Sequence, residues 1–230
     1  MKALIFGNHP ENITDLVKKY DFTIVENNPD FVISFGGDGT LILSEFMYPE
    51  IPKIVLRDSN ICKMCKFGSG TFENEEVLRR VRDGEYHIAD VWKLEAQAKG
   101  KTLIGLNDIT VHNTDPRHGI RYKITVDGSM ELHEVIGDGV VVATPFGSTG
   151  YYRSITDSYF ETGIGLAFNN STEQADHVVL AEQRTVVLKL TRGPANIYAD
   201  NQEEVIALET GESVTIKKAE KSARIVRVVE

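Results

Sequence analysis

The sequence predicts an α/β domain built on a parallel sheet, followed by a mostly β domain, and two patterns carry that division. In the first third of the chain short β-branched runs alternate with helical patterns, the arrangement that yields a parallel sheet with helices on its faces. From about Tyr86 helical periodicity gives way to period-two runs separated by turn residues. Domains are therefore expected at 1–88 and 89–230. No internal repeat, low-complexity tract or long linker separates them, so the two parts are expected to pack closely and share a cleft.

In the first part, Ala3 to Phe6 reads as a strand and Ile13 to Lys19 as a short helix. Phe22 to Val25, Phe31 to Ser34 and Lys53 to Leu56 read as three more strands. Glu75 to Arg82 places Val77, Leu78 and Val81 on one helical face, with acids at its start, arginines near its end and Gly84 as its stop. The stretch that organises this part is FVISFGGDGT, Phe31 to Thr40. An apolar strand runs into Gly36, Gly37, Asp38, Gly39 and Thr40, and Leu41, Ile42, Leu43 and Phe46 then suit the apolar side of a helix. Closely spaced glycines let backbone N–H groups approach anionic oxygens, and the helix would aim its positive end at the same place. Ligands of parallel sheets bind at the carboxyl ends of strands, where this turn lies. A carboxylate beside phosphates fits either a magnesium contact or a general base for an attacking hydroxyl. The plainer reading of Asp38 is a turn residue that caps the helix at Thr40.

The second part is read from its alternation. Ile120, Tyr122, Ile124 and Val126 alternate with polar residues, and Asp127-Gly128 supplies a two-residue hairpin turn before Met130. Val186 to Leu190, Val214 with Ile216, and Ala223 to Val229 read as further strands; the tail after Lys217 either finishes the β domain or covers a subunit interface. Gly137-Asp138-Gly139 leads into the apolar Val140 to Val142, and TPFGSTGYYRS, Thr144 to Ser154, has the hydroxyls, glycines and tyrosines of a ligand loop offering hydrogen bonds and a stacking ring, or of a plain surface loop. Asn107-Asp108 suits a ribose diol, or a turn.

Composition bounds the partners. Hydrophobic residues at 41% and charged residues at 26% are those of a globular protein, and the net charge of −9 disfavours nucleic-acid backbones or anionic membranes as the main partner. No targeting segment or membrane-spanning apolar run is legible, so a cytoplasmic location is expected. Cys62 and Cys65 form a lone CxxC that supplies at most two zinc ligands; reduced thiols are the plain reading and a redox role the alternative. The six histidines are scattered and are assigned to no metal.

The order Gly36–Thr40, Asn107-Asp108, Gly137-Asp138-Gly139, TPFGSTGY at Thr144–Tyr151 and Asp200-Asn201-Gln202 resembles the NAD kinase family. GGDGT alone fits the wider group that includes diacylglycerol, sphingosine and phosphofructo-kinases. The similarity spans residues 1 to about 217, and the TPxGST-x-Y stretch is its most specific part. It implies a Rossmann-like N-terminal α/β domain, a β-rich, β-sandwich-like C-terminal domain and an active site between them. The implied reaction is phosphorylation of the adenosine ribose 2′-hydroxyl of NAD to give NADP, with ATP or polyphosphate as donor and Mg²⁺ on the donor phosphates. Family members are dimers or tetramers, so a homo-oligomer is implied, with a neighbouring β domain often completing the site.

On this resemblance Asp38 is the catalytic base, and Gly36, Gly37, Gly39 and Thr40 hold phosphates. Asn107, Asp108, Asp138, Thr149, Gly150, Tyr151, Ser154, Asp200 and Gln202 match NAD-binding positions. Gly150 replaces the usual alanine, and Asn201 stands where a glycine of positive φ is usual. The second glycine-rich stretch of the family is replaced by VLRDSNICKMCKF, where only Asn60 and Phe67 match. ITDSYFETGIGLAF replaces the segment after the tyrosine loop, and a Pro-His pair is missing. The rivals are a kinase of another small acceptor, such as a sugar or nucleoside, and a non-catalytic NAD(P)-binding module.

Overall fold

The computed structural model describes residues 1–58, 72–131, 134–172 and 176–229. Cys62, Cys65, Asn60 and Phe67 lie outside the described residues. The chain divides into two compact units, Met1–Val91 with Lys221–Glu230, and Trp92–Glu220. Among the described residues no helix is long and apolar enough to cross a membrane.

The first unit contains β1 (Lys2–Phe6), α1 (Glu11–Lys19), β2 (Thr23–Ile24), β3 (Phe31–Phe35), α2 (Asp38–Met47), β4 (Lys53–Leu56), α3 (Asn74–Arg82), β5 (Tyr86–Val91) and the C-terminal strand β19 (Ala223–Val228). Its sheet runs β2-β1-β3-β4-β19-β5, parallel except for the antiparallel edge strand β5. β3 is buried along its whole length, as a central strand covered on both faces must be. Phe31, Ile33 and Phe35 share a core with Ile13 and Val17 of α1 and with Val77, Leu78 and Val81 of α3. The opposite face carries α2, held from below by a buried ion pair. Lys53 stands beside Val32 in register, and its Nζ donates to the Glu45 carboxylate and to the carbonyl of Tyr48 at the helix end.

Three sequence expectations change here. The strand expected over Phe22 to Val25 shrinks to Thr23–Ile24, after a turn in which Asp21 takes a positive φ of 62° and Phe22 enters the core. Phe46 is exposed rather than apolar-facing; the buried arc of α2 is Leu41, Ile42, Ser44 and Glu45, because Lys53 draws Glu45 inward. The tail strand does not finish the β unit: β19 pairs with β4 and β5, and Val226 and Val228 enter the first unit's core.

The second unit is a sandwich of antiparallel sheets. One, among the described residues, is ordered β10-β9-β15-β18-β6-β7, with β11 also on β9. It is built from β6 (Leu94–Ala98), β7 (Lys101–Gly105), β9 (Ile120–Val126), β10 (Met130–Glu131), β11 (Val135–Gly137), β15 (Val186–Arg192) and β18 (Ser213–Lys218). The other is ordered β14-β13-β12-β8-β16-β17 and comprises β8 (Asp108–Asn113), β12 (Gly139–Ala143), β13 (Ile164–Asn169), β14 (His177–Leu180), β16 (Ala195–Ala199) and β17 (Ile206–Leu208). Ile120, Tyr122, Ile124 and Val126 point inward as their alternation predicts, and meet Ile109, Val111, Val140, Val142, Leu166 and Ile197 of the facing sheet. Asp127 and Gly128 both have positive φ, 50° and 70°, the signature of the tight turn that matches strand twist.

Inward alternation on one face fixes what lies on the other. With Ile109 and Val111 in the core, Asp108, Thr110 and His112 must line the outer face of β8. The tyrosine-rich stretch, expected as a loop, is instead a 3₁₀ turn at Gly147–Thr149 followed by α4 (Tyr151–Thr156). Tyr152, Ile155 and Phe160 pack this helix onto Val141, Ala143 and Ala167 of that same outer face.

Candidate active site

The glycine turn lies at the carboxyl end of β3. The helix begins two residues before Thr40, so Gly37 is its N-cap and Asp38 its first residue; Asp38 does not cap a helix at Thr40. Its negative charge sits within the first turn, where it favours the helix. The N–H groups of Thr40 and Leu41 both donate to the Gly37 carbonyl, at 3.1 and 3.2 Å. Gly36 turns at φ 159°, and a Cβ there would stand 2.3 Å from Thr40 Oγ1. Gly37 differs: a Cβ there would meet nothing within 4 Å. Packing therefore does not demand glycine at 37, whereas close approach of a phosphate would.

In the β unit, the Leu106-Asn107-Asp108 turn is built from behind by Asp200. Its Oδ2 accepts the Leu106 N–H at 2.7 Å, and its Oδ1 accepts those of Asn107 and Asp108 at 2.8 and 3.0 Å. Gln202 Nε2 donates to the Ile104 carbonyl at 2.6 Å. The third brace is the TPFG segment: Thr144 N–H donates to Asn107 O, and Thr144 Oγ1 donates to Leu106 O at 2.8 Å while accepting from Gly147 N–H at 3.0 Å. Gly147 passes so close that a Cβ would lie 2.2 Å from the Asn107 carbonyl oxygen. The positive φ expected at Asn201 falls instead on Asp200, at 50°, because only there does the carboxylate turn back onto three N–H groups.

Electrostatics divides the two carboxylates that meet at this turn. Burial pushes both upward, and Asp200's charge pushes Asp108 further, to about 7. The three N–H donors pull Asp200 back, so Asp200 keeps the charge and Asp108 takes the proton. Asp108 is 8% exposed, with Thr110 Oγ1 donating to its Oδ1 at 3.3 Å.

From Asp108 the outer face runs along β8 through Thr110 to His112, with Tyr198 and Asn196 beside them on β16. Asn196 Nδ2 donates to Tyr198 Oη at 3.0 Å. On the other side Asn169 ends β13 opposite Gly139 of β12, and its Nδ2 donates to Tyr151 Oη at 3.0 Å and stands 3.2 Å from His112 Nε2. The tyrosine loop and the Asn-Asp turn thus converge: a Cβ on Gly150 would approach Asn107 Nδ2 at 3.9 Å, and burial, followed by the charges of Asp108 and Asp138, raises the Tyr151 phenol. Ser154 Oγ donates to the Tyr151 carbonyl at 2.7 Å, and Thr149 closes the 3₁₀ turn.

Asp138 stands apart from the Asn-Asp turn. The register places Asp108 opposite Ala143 and His112 opposite Gly139, so Asp138 lies beside Asn113 at the far end of β8, about 17 Å along the strand. Amide groups of Asn113 and Asn170 hold its two oxygens at 3.1 and 2.9 Å. A ligand touching both aspartates must lie along the outer face, over Thr110 and His112. Thr110, His112, Asn169, Asn196 and Tyr198 belong to none of the sequence motifs. The signal for the first two was present: Asp108-Ile-Thr-Val-His alternates polar and apolar residues from the Asn-Asp pair onward.

The family profile described as the ATP-NAD kinase C-terminal domain matches residues 106–228. A NAD kinase of Saccharolobus islandicus is 28% identical over 227 residues, covering 96% of this chain and 88% of that protein. A NAD kinase of Sulfurimonas denitrificans is 30% identical over 91% of this chain and 76% of its own length. The crystal structure of an NAD kinase from Archaeoglobus fulgidus in complex with ATP superimposes with a TM-score of 0.77 at 21% identity, over 100% of this chain and 94% of that one.

Proposed function

This chain belongs to the NAD kinase family, and from that membership we propose that it transfers the terminal phosphoryl group of ATP to the adenosine ribose 2′-hydroxyl of NAD, giving NADP. The observation that carries the reading is the turn at Gly37 and Asp38: open space over a glycine, at the positive end of a helix, beside a carboxylate. Gly36, Gly37, Gly39 and Thr40 offer the phosphate seat, and Asp38 takes the proton from the attacking hydroxyl, a role that typically contributes roughly 10²–10⁴-fold. The Asn107-Asp108 turn accepts hydrogen bonds from a ribose diol, and the outer face of β8 receives the rest of the dinucleotide between Tyr151 and Asp138. Asp200 and Gln202 act on NAD through the turn they brace.

Magnesium bound to nucleotide phosphates needs only one or two protein carboxylates and keeps several waters. Among the described residues no cluster of three or more His, Cys, Asp or Glu side chains could cage an ion, so the fit is to an ion carried by the donor, with Asp38 as the carboxylate beside it. When bound it neutralises charge on the phosphates being transferred. The remaining readings are a cytoplasmic enzyme, a homo-oligomer, and polyphosphate as a second donor.

The test is NADP formation from NAD, Mg²⁺ and ATP, read with an NADP-specific dehydrogenase, beside Asp38→Asn and beside a tube with polyphosphate. Turnover that falls at least about 100-fold in a folded Asp38→Asn variant is the expected result. A fully active variant removes Asp38 from the chemistry, and NAD binding without NADP from either donor leaves a binding module.

A further inference from the structure

Asn169 and His112 belong to no motif read from the sequence, yet with the imidazole neutral they form a chain of hydrogen bonds that runs in one direction. His112 Nδ1 lies 3.1 Å from the carbonyl oxygen of Asn113. A carbonyl only accepts, so Nδ1 carries the hydrogen, and Nε2 of the neutral ring is left as an acceptor. The group facing Nε2 at 3.2 Å must then be the Asn169 amide nitrogen. That same nitrogen donates its second hydrogen to Tyr151 Oη at 3.0 Å. The tyrosine oxygen thus receives a hydrogen bond from the protein, and its own hydrogen has no acceptor among the described residues. Tyr151 is 39% exposed, so that hydrogen is available to a ligand on the outer face of the sheet.

We propose that Asn169 and His112 are positioning residues that orient Tyr151 as a hydrogen-bond donor toward the dinucleotide, so that the ligand atom meeting Tyr151 Oη is an acceptor without a hydrogen, a phosphate or carbonyl oxygen or an unprotonated ring nitrogen. The assignment rests on NAD lying along the face of β8. It gives the tyrosine a role beyond stacking. Asp in place of Asn169 reverses the chain, because a carboxylate accepts the Tyr151 hydrogen and turns it inward.

The test is a double-substitution cycle on the full chain, with steady-state kinetics for NAD and with ¹⁹F NMR of protein carrying 3-fluorotyrosine, the signal of residue 151 being identified by its loss in Tyr151→Phe. Tyr151→Phe and Asn169→Asp each raise KM for NAD about 5- to 10-fold with kcat within about twofold, and the double variant is no worse than the poorer single, because both remove one donor. His112→Phe, which frees the amide to rotate, gives a smaller rise, about threefold. Effects that multiply to about 25-fold or more in the double variant overturn the coupling, as does a residue 151 signal unmoved by Asn169→Asp. A signal that moves with Asn169→Asp but not with NAD keeps the hydrogen-bond chain and rejects NAD on this face.

Discussion

Replacing Asp108 by Asn should abolish a pH dependence of stability that the wild-type β unit carries. The folded carboxyl is raised to about 7 by burial and by Asp200, while the unfolded one ionises near its ordinary 3.8. Between these values the folded chain holds a proton that the unfolded chain has released, so stability is fullest below about pH 4 and is lost as pH climbs to about 7. Each unit is worth about 1.4 kcal/mol, which makes the loss between pH 5 and 8 about 2–3 kcal/mol. The side chain is buried, so solvent screening does not shrink that figure much. Asn is neutral throughout, and its Oδ1 still accepts from Thr110. The assay is urea denaturation at pH 5, 6, 7 and 8, read by the single tryptophan, Trp92, which packs against the sandwich core. The stability gap between Asp108→Asn and wild type should widen with pH and level off above 7, and melting temperatures should separate by roughly 5–10 °C at pH 8. A gap constant within about 0.5 kcal/mol, or one that narrows as pH rises, would refute the assignment of the proton to Asp108.

Two further substitutions separate positioning from contact. Asp200→Asn leaves the Leu106 N–H facing an amide nitrogen, because Oδ2 is its acceptor; the unit should lose about 1–3 kcal/mol in the same denaturation assay, and KM for NAD should rise with it. Gly37→Ala meets no atom within 4 Å and adopts an extended N-cap backbone that alanine tolerates, so the melting temperature should stay within about 2 °C while affinity for ATP, measured by calorimetry, falls at least about tenfold.

Elements were legible where one physical signal dominated, and misread where neighbours in space decided. Alternation alone gave β9, since Ile120 to Val126 face a core on one side and solvent on the other. The Asp127-Gly128 turn was legible for a local reason, positive φ at two residues that tolerate it. Phe46 was misread because helical periodicity does not reveal that Lys53, on the next strand, draws Glu45 into the interior. Ala223 to Val228 read correctly as a strand, but period-two patterning carries no address, and its partners are at Lys53 and along Tyr86 to Val91. The site shows the same split. The Asn-Asp turn and the tyrosine stretch were visible as unusual clusters of small polar residues, whereas Asn169 is an ordinary strand-end asparagine that acquires meaning only through register, opposite Gly139 and within reach of Tyr151.

Three aspartates of the β unit show why residue type does not settle role. Asp200 receives three backbone N–H bonds, so most of its charge is satisfied within the chain. Asp138 is held on both oxygens by side-chain amides, at the other end of β8. Among the described residues the Asp108 carboxyl receives only a long hydroxyl contact, 3.3 Å from Thr110, and it stands beside a charge it cannot escape. A bound diol can therefore change the protonation of Asp108. A ribose donating two hydroxyls stabilises the carboxylate over the acid, so NAD binding should release a proton near pH 7 and affinity should rise as pH climbs through that value. Calorimetry in buffers of different ionisation enthalpy counts that proton. Its absence in wild type, or its persistence in Asp108→Asn, would place the diol elsewhere.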